Sequence, residues 1–596
     1  MVQQTKILGN NMKNILKLIA TVSSILTVFS CNKEIDKPID QPSEPETYTL
    51  SISASKMELT KGLELSGDAL NAIWDGTEEV YVFKNDAQIG VLTPDLSTLV
   101  YPEKVSCTLS GPFATVPEAG DVLTLKLTSN NYSGQDGTLD FIAGHCDYAV
   151  ATLNVTGVNN GQIESTEGTA AFENQQAIVK FTLKDKADGT TLLIPTTLTV
   201  NDGTSDIATA TIPAATYTAN GDGVLYVAIP PVAGKTFTLT ATVGAYDYIY
   251  TKDAATFAQG QYYTISVKMQ RKVVLSALSA DFVALNGDIL TGTSNGTYGI
   301  SIADGATVTI EDVDITGKIS ESEQTAGITC LGDATIILSG TNSVKGGNSA
   351  DLGVVSGVFV PYGNTLTIDG TGSLDACSGG SSSNNMMASG IGATKSDSCG
   401  SILITGSVNV TATGGRGSAG IGSGDHSSCE NITITGSANV TSQGGSNAAG
   451  IGTGGSSSSP STFCGNITIS TTGTVTATGG NNGAGIGTGP KGKCGNITIS
   501  KGTVTATGGR SGAGIGTGKA ESAGSSACVK IEITTGVTCV TATKGIGSVC
   551  SIGPGSGSAV CDLVTIGGTV YRENNVFVNQ NDGQTYLTQS PLVYTP

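Results

Sequence analysis

Between residues 307 and 566 one short pattern recurs nine times: an alternating apolar run such as Ile432-Thr433-Ile434, a second run such as Val475-Thr476-Ala477, a Gly-Gly pair, and an Ala-Gly-Ile-Gly unit. The last apolar residue of each first run falls at Ile310, Leu338, Ile368, Ile404, Ile434, Ile469, Ile499, Ile533 and Ile566, at spacings of 28 to 36 residues. A period in this range marks an architecture built by stacking repeats. The runs alternate with period two, are rich in β-branched residues and are bounded by Gly, Asn and Ser, so each repeat is two or three short strands rather than a helix pair. Parallel coils stacked in this way form a β-helix, here of about nine rungs. At roughly 4.8 Å per rung the rod is about 40 Å long, with its apolar positions stacked inside as Ile ladders.

The pairs Gly379-Gly380, Gly414-Gly415, Gly444-Gly445, Gly479-Gly480 and Gly508-Gly509 fall where a coil turns a corner, and positive φ is the expected reason for them. The Gly-Ile or Gly-Val units beginning at Gly327, Gly357, Gly390, Gly420, Gly450, Gly485, Gly514 and Gly545 suit a third short strand passing close to its neighbours. No Lys-Ser/Thr follows these glycines and no helix is opened, which argues against a phosphate cradle. Cysteine keeps the same period: Cys399, Cys429, Cys464, Cys494, Cys528 and Cys561 each lie five residues before the rung's reference residue. The expected result is a buried column of free thiols behaving as small apolar residues. Disulfides between adjacent rungs are the alternative, since Cα atoms about 4.8 Å apart fall within disulfide range. Zinc is disfavoured by the absence of CxxC spacing and by only two histidines, His145 and His426.

Met12, Lys13 and Lys17 precede an apolar stretch over 18–29 that ends in Val28-Phe29-Ser30-Cys31. The stretch is too short to span a bilayer. It resembles a bacterial lipoprotein signal, which implies a signal peptide over 1–30, Cys31 as the lipidated residue, and an outer-membrane location with surface exposure. Residues 31–47 read as an acidic, Pro-rich linker. The net charge of -19 argues against nucleic acid as a partner. Gly, at 82 of 596 residues, accompanies strand runs and so marks turns rather than disorder.

Residues 48–270 lack the repeat but hold many short alternating runs, including 80–83, 122–127, 178–183, 224–229, 237–243 and 262–267, and read as two β-sandwiches over 48–155 and 156–270. The β-helix then occupies 271–570 and a C-terminal cap 571–596, making the chain all-β. The stretch SISASKMELT over 51–60, Trp74-Asp75-Gly76 and Val80-Tyr81-Val82-Phe83 resembles the opening of the fimbrillin-like family of Bacteroides-type surface lipoproteins. Residues 177–181 and 257–263 resemble that family's second domain. The resemblance implies transthyretin-like sandwiches and a role as fimbrial stalk or tip subunit or as adhesin. Stalk subunits of that family are matured by an Arg-specific protease, whereas the first arginine here is Arg271, after both expected sandwiches. The implied reading is a chain that stays lipid-anchored or ends a fibre. Residues 278–292, 307–317, 327–330 and 334–340 resemble a β-helical carbohydrate-binding family, which implies acidic sugars and calcium.

Catalysis on such a rod requires clustered carboxylates or a general base. From 399 to 561 the only acidic residues are Asp425, Glu430, Glu521 and Glu532, and neither histidine is placed to serve a nucleophile. No enzyme activity is therefore expected. The earlier rungs hold Asp304, Asp312, Asp314, Asp333 and Asp369, together with Glu311 and Asp375, as oxygen ligands for calcium or as ordinary turn carboxylates. Sugar sites need aromatic platforms, for which Tyr298, Phe359 and Tyr362, with Phe463, are the candidates. The expected function is a non-catalytic cell-surface adhesin whose partner is a glycan or a host or bacterial surface protein. A fimbrial accessory subunit that uses the solenoid as a spacer beside other fimbrial subunits, and a polysaccharide lyase-like enzyme, are the alternatives.

Overall fold

The computed structural model describes residues 48–596 except 57–62, 67–68, 75, 102–103, 128–130, 320–324, 350–352, 380–386, 395 and 456–461. The expected signal segment, Cys31 and the acidic linker lie outside the described residues. Among the described residues no helix is long and apolar enough to cross a membrane.

The molecule is almost wholly β, in two sandwich units followed by a solenoid. The first unit is one eight-stranded ladder that closes on itself, because Tyr48–Lys56 pairs with both Ser106–Phe113 and Thr169–Asn174, and the latter returns to Ala149–Asn159. Alternating residues such as Leu123, Leu125 and Leu127 fill its core around Trp74 and Phe172, whose rings meet edge to face at 5.8 Å. Closure carries this unit past the expected boundary at 155: strands Gln162–Ser165 and Thr169–Asn174 are both members of its ladder. The boundary was misplaced because those strands return to the sheet after a tight hairpin, with no composition change to mark it.

The second unit packs Ala177–Asp185, Val224–Ile229 and the start of Tyr262–Val274 against Thr197–Asn201, Asp206–Thr211, Val232–Val243 and Tyr246–Phe257. Its core also takes in Tyr132, Ile142 and Cys146 from the connection between two strands of the first unit. Gln135, fully buried there, donates through Nε2 to the Ala228 carbonyl at 2.8 Å and accepts from the Ala228 amide at 2.8 Å. A buried amide side chain satisfied on both sides is a specific anchor, so the first unit is stapled into the second.

The solenoid has three faces. The first and second belong to a continuous ladder, and the third is a ten-stranded parallel sheet. On the first face Ile368, Ile404, Ile434, Ile469, Ile499, Ile533 and Ile566 are in direct register. The expected column slips once. Leu338 aligns with Gly370, and it is Ile336 that aligns with Ile368. A two-residue slip keeps inward positions inward, so the alternation gives no warning of it. One strand precedes the recognised repeats, pairing Leu290 with Ile310.

On the third face each distal coil contributes only Ile-Gly, from Ile391–Gly392 to Ile552–Gly553. Gly392, Gly422, Gly452, Gly487, Gly516 and Gly553 have φ between 126° and 134°. Gly380 lies outside the described residues; the other expected Gly-Gly corners are present, but their cause differs. None of Gly379, Gly414, Gly415, Gly444, Gly445, Gly479, Gly480, Gly508 or Gly509 is among the positive-φ glycines. They are needed because stacked corners nearly touch: a Cβ at Gly480 would sit 1.8 Å from the Gly445 oxygen, and one at Gly509 1.7 Å from the Gly480 oxygen. The C-terminus closes the ladder: Thr569–Glu573 folds antiparallel onto Val560–Ile566, and Leu592–Tyr594 onto Val537–Thr543, removing the exposed edge.

Candidate functional site

The solenoid is joined to the second sandwich without a hinge. Strand Tyr262–Val274 runs out of the sandwich, and its end, at Lys272, Val273 and Val274, pairs in parallel with Ile289, Leu290 and Thr291 of the first coil. Arg271 locks this joint. Its Nε and Nη2 reach Asp288 Oδ1 and Oδ2 at 3.0 and 2.6 Å, and its guanidinium lies over Tyr246 and Phe282, 5.2 and 5.3 Å from the ring centres. Such planar bidentate and stacked contacts suit arginine and not lysine. Burial works against the Arg271 charge, but the Asp288 hydrogen bond and charge outweigh it and raise the Arg271 pKa. Lys272 meets Glu311 at 3.1 Å alongside.

The expected acidic residues fall on separate corners. Asp304 Oδ1 accepts from the Asp333 amide at 3.0 Å, and Asp333 Oδ1 accepts from the Thr365 amide at 2.7 Å, at the corner leading into the first face. Asp312, a bulged residue with φ of 51°, accepts from the Thr341 amide at 2.8 Å at the corner leaving that face, where Asp369 also accepts from the Gly370 amide at 2.6 Å. Asp314 stands on the second face in register with Ser343 and Asp375. The two corners are a strand apart, on the order of 20 Å. Among the described residues no three His, Cys, Asp or Glu side chains converge to hold a metal ion. Asp304, Asp312 and Asp333 cap backbone amides of the next coil, the same task that Asn431 Oδ1 performs for the Asn466 amide and Asn466 Oδ1 for the Asn496 amide, each at 2.9 Å, whereas Asp369 caps the amide that follows it in its own coil.

The aromatic candidates are also divided. Phe359 and Tyr362 share one coil, Phe359 on the third face and partly packed on the core, Tyr362 at the following corner with 65% of its surface exposed. Tyr298 is half-buried on an earlier coil, just before Ile300–Ile302, and does not join them. Phe463, 48% exposed, stands in register with Ser428 and Lys493. His426 Nδ1 lies 2.8 Å from Asp425 Oδ2, between the third face and the first, while His145 stacks on Phe141 at 4.4 Å in the segment lodged in the second sandwich.

The cysteine column is present as expected. Cys399, Cys429, Cys464, Cys494, Cys528 and Cys561 are successive register partners, all buried and all free thiols. Cys528 is held well above the usual thiol range chiefly by burial, Cys429 by its hydrogen bond to Cys399 and Cys464 by its hydrogen bond to Cys429, while Cys550, beside the column's distal end, is pushed up to about 12 by burial. A thiol kept protonated and sheltered is a poor nucleophile. The joint and the lodged segment escaped the sequence because both rest on contacts between distant parts of the chain. The only sign of the first was Arg271 itself, isolated by 270 residues without another arginine.

No protein-family model matches the chain, and no curated protein matches it. Among solved structures it is similar to a fimbrial assembly protein from Parabacteroides distasonis, at 14% identity over 37% of this chain and 90% of that one, with a TM-score of 0.20. It is similar to a shaft pilin from Lactobacillus rhamnosus at 11% identity, over 37% and 96%, with a TM-score of 0.18. A fimbrial protein from Bacteroides ovatus is matched at 10% identity over 37% of this chain and 48% of that one, with a TM-score of 0.21. Likenesses at these TM-scores carry no argument about role.

Proposed function

We propose that the chain is a non-catalytic cell-surface adhesin, lipid-anchored through Cys31, whose sandwiches hold the solenoid outward for contact with a glycan or a surface protein. The observation that supports this most is the joint: a continuous strand and the Arg271–Asp288 pair, with its carboxylate buried, fasten the rod to the sandwich, as presentation of a binding surface requires. The contact surface of this reading is the coil that carries Tyr362 and Phe359, where an exposed ring gives a sugar a flat apolar face. The same joint serves a fimbrial accessory subunit whose rod is a spacer, so the experiment must separate the two.

The test is binding of the full chain to arrays of acidic and neutral polysaccharides, with calcium and with chelator, assaying the same wells for released oligosaccharide. Saturable binding without product, weakened about tenfold by Tyr362→Ala, is the expected result; the figure corresponds to roughly 1.4 kcal/mol, the upper part of the range for one aromatic contact. Released product overturns the non-catalytic reading. Co-purification with fimbrial subunits and no glycan binding favours the spacer.

A further inference from the structure

Neighbouring thiols interact along the column, Cys429 with Cys399 and Cys464, and Cys528 with Cys494 and Cys561. Several also face backbone oxygens: Cys399 Sγ that of Gly422 at 3.7 Å, Cys429 Sγ that of Gly400 at 3.5 Å, Cys464 Sγ that of Glu430 at 3.6 Å and Cys561 Sγ that of Leu563 at 3.8 Å. At the distal end Cys528 Sγ lies 2.7 Å from Cys561 Sγ, less than 1 Å beyond a covalent S–S bond of about 2.05 Å. The two residues are direct register partners on adjacent parallel strands, a Cα separation of about 4.8 Å that lies within disulfide range.

The position has a physical rationale as well. Cys561 belongs to the last parallel strand of its face, after which Thr569–Glu573 turns back antiparallel. On that outer side Cys561 is covered by the short returning hairpin alone, its amide donating to Asn575 Oδ1 and its carbonyl accepting from Arg572 Nε, in place of a full coil. A covalent link adds most where the stacking partner is smallest.

We propose that Cys528 and Cys561 are an oxidisable pair that forms a disulfide fastening the last coil to the one before it, while Cys399, Cys429, Cys464 and Cys494 remain thiols. The oxidant is a disulfide, either of an exported thiol oxidoreductase or of glutathione. The thiolate of one cysteine attacks the donor disulfide and releases one donor thiol. The second cysteine, losing its proton, then displaces the donor sulfur, so that two protein thiols give up two protons and two electrons and the donor disulfide becomes two thiols. Both sulfurs are buried in the folded rod, so the exchange occurs before the last coil docks, and the finished bond is sheltered from soluble reductant. In the cell the oxidant depends on the export reading above; in the test it is supplied.

The full chain is refolded in a glutathione redox buffer, denatured, alkylated without reductant and digested with trypsin. The expected product is peptide 520–530, containing Cys528, joined to peptide 545–572, containing Cys550 and Cys561, two hydrogens short of the sum of the free peptides. The link persists in Cys550→Ser and is lost in Cys561→Ser. Cys528 recovered fully alkylated from the wild-type chain overturns the proposal, as does a link from Cys528 to Cys494, Cys539 or Cys550. A chain isolated from its cell in reduced form that gains the 528–561 link in glutathione supports the pair and counts only against export.

Discussion

The two halves of the solenoid solve one stacking problem in opposite ways. On the third face the column that begins Ser301, Thr329, Phe359 in the proximal coils continues as Gly392, Gly422, Gly452, Gly487 and Gly516 in the distal ones. Proximal coils thus present side chains outward from this face, whereas distal coils remove them so that backbones close on one another. A bond from the Ala449 amide to the Thr453 carbonyl, at 3.0 Å, pinches the distal coil across this unit, and equivalents recur at Ala419, Ala484 and Ala513. Charge divides along the same line. Residues 271–398 hold five basic and thirteen acidic residues, a net of -8, while 399–561 hold eight and four, a net of +4. Variable, chemically diverse coils lie next to the sandwiches, and uniform coils built for stacking lie beyond them. The whole-chain charge of -19 therefore conceals a basic distal rod, and arguments about partners drawn from the total do not hold for that part.

The largest effect expected from this contrast is at Gly452. With φ of 129°, and a Cβ that would meet the Gly487 oxygen at 1.9 Å, the site excludes any side chain twice over. Gly452→Ala should cost more than about 4 kcal/mol, the range reserved for strain and forced overlap in a packed core, and should unfold the distal coils. Thr329→Val, in the same column of a proximal coil, should stay within about 0.5 kcal/mol. Urea unfolding of both variants, with limited proteolysis to locate the melted coils, is the measurement. Equal tolerance at the two sites would mean that the halves do not differ in the way described.

The joint comes next in size. Asp288→Ala leaves the partly buried Arg271 guanidinium, 17% exposed, without its carboxylate, a loss of about 2 kcal/mol, in the range for hydrogen bonds to a charged group. The damage should be local: first-coil amides beside Ile289 should lose protection in hydrogen exchange while Ile531 and Ile533 keep theirs. Uniform loss along the rod would show that proximal and distal coils unfold as one unit.

How much of this was legible in the sequence follows from what sets each feature. The Ile ladder, the cysteine column and the third strand as far as Ile515–Gly516 are products of the repeat period and could be read from spacing, but the unit expected at Gly545 is not on the third face: Ile546 is fully exposed, and the strand is Ile552–Gly553. The reason for the Gly-Gly pairs could not be read in this way, because positive φ and close backbone approach select the same residue, and the approach of Gly480 to Gly445 across a corner joins positions 35 residues apart. The slip at Leu338 was hidden by its even number of residues, which conserves the inward pattern. Gln135 and Arg271 depend on partners 93 and 17 residues away, and no local pattern announces such contacts. Of the candidate site, Phe359 and Tyr362 are brought to one coil and Tyr298 is left on another, because sequence shows which coil a ring belongs to more readily than which corner it leaves by.

The smaller effects concern the turn carboxylates, where proximal and distal coils do the same thing with different residues. Asp333 and Asn431 occupy one column, through Thr365 and Ser401, and each accepts the amide of the next coil's residue at that position, at 2.7 and 2.9 Å. Asp333→Ala removes the acceptor and should cost about 1 kcal/mol, as for loss of a capping side chain. Asp333→Asn makes the proximal corner a copy of the distal one and should change stability by less than about 0.5 kcal/mol. The amide substitution also separates capping from metal binding, because an amide oxygen replaces a carboxylate in accepting an N–H bond but weakens a calcium site by removing its charge. With calcium at millimolar level and with chelator, the urea midpoints of the wild type and Asp333→Asn should shift in parallel if the carboxylate only caps. A calcium-dependent gain present in the wild type and absent from Asp333→Asn would place an ion at this corner and give the acidic half of the rod a chemistry that the basic half lacks.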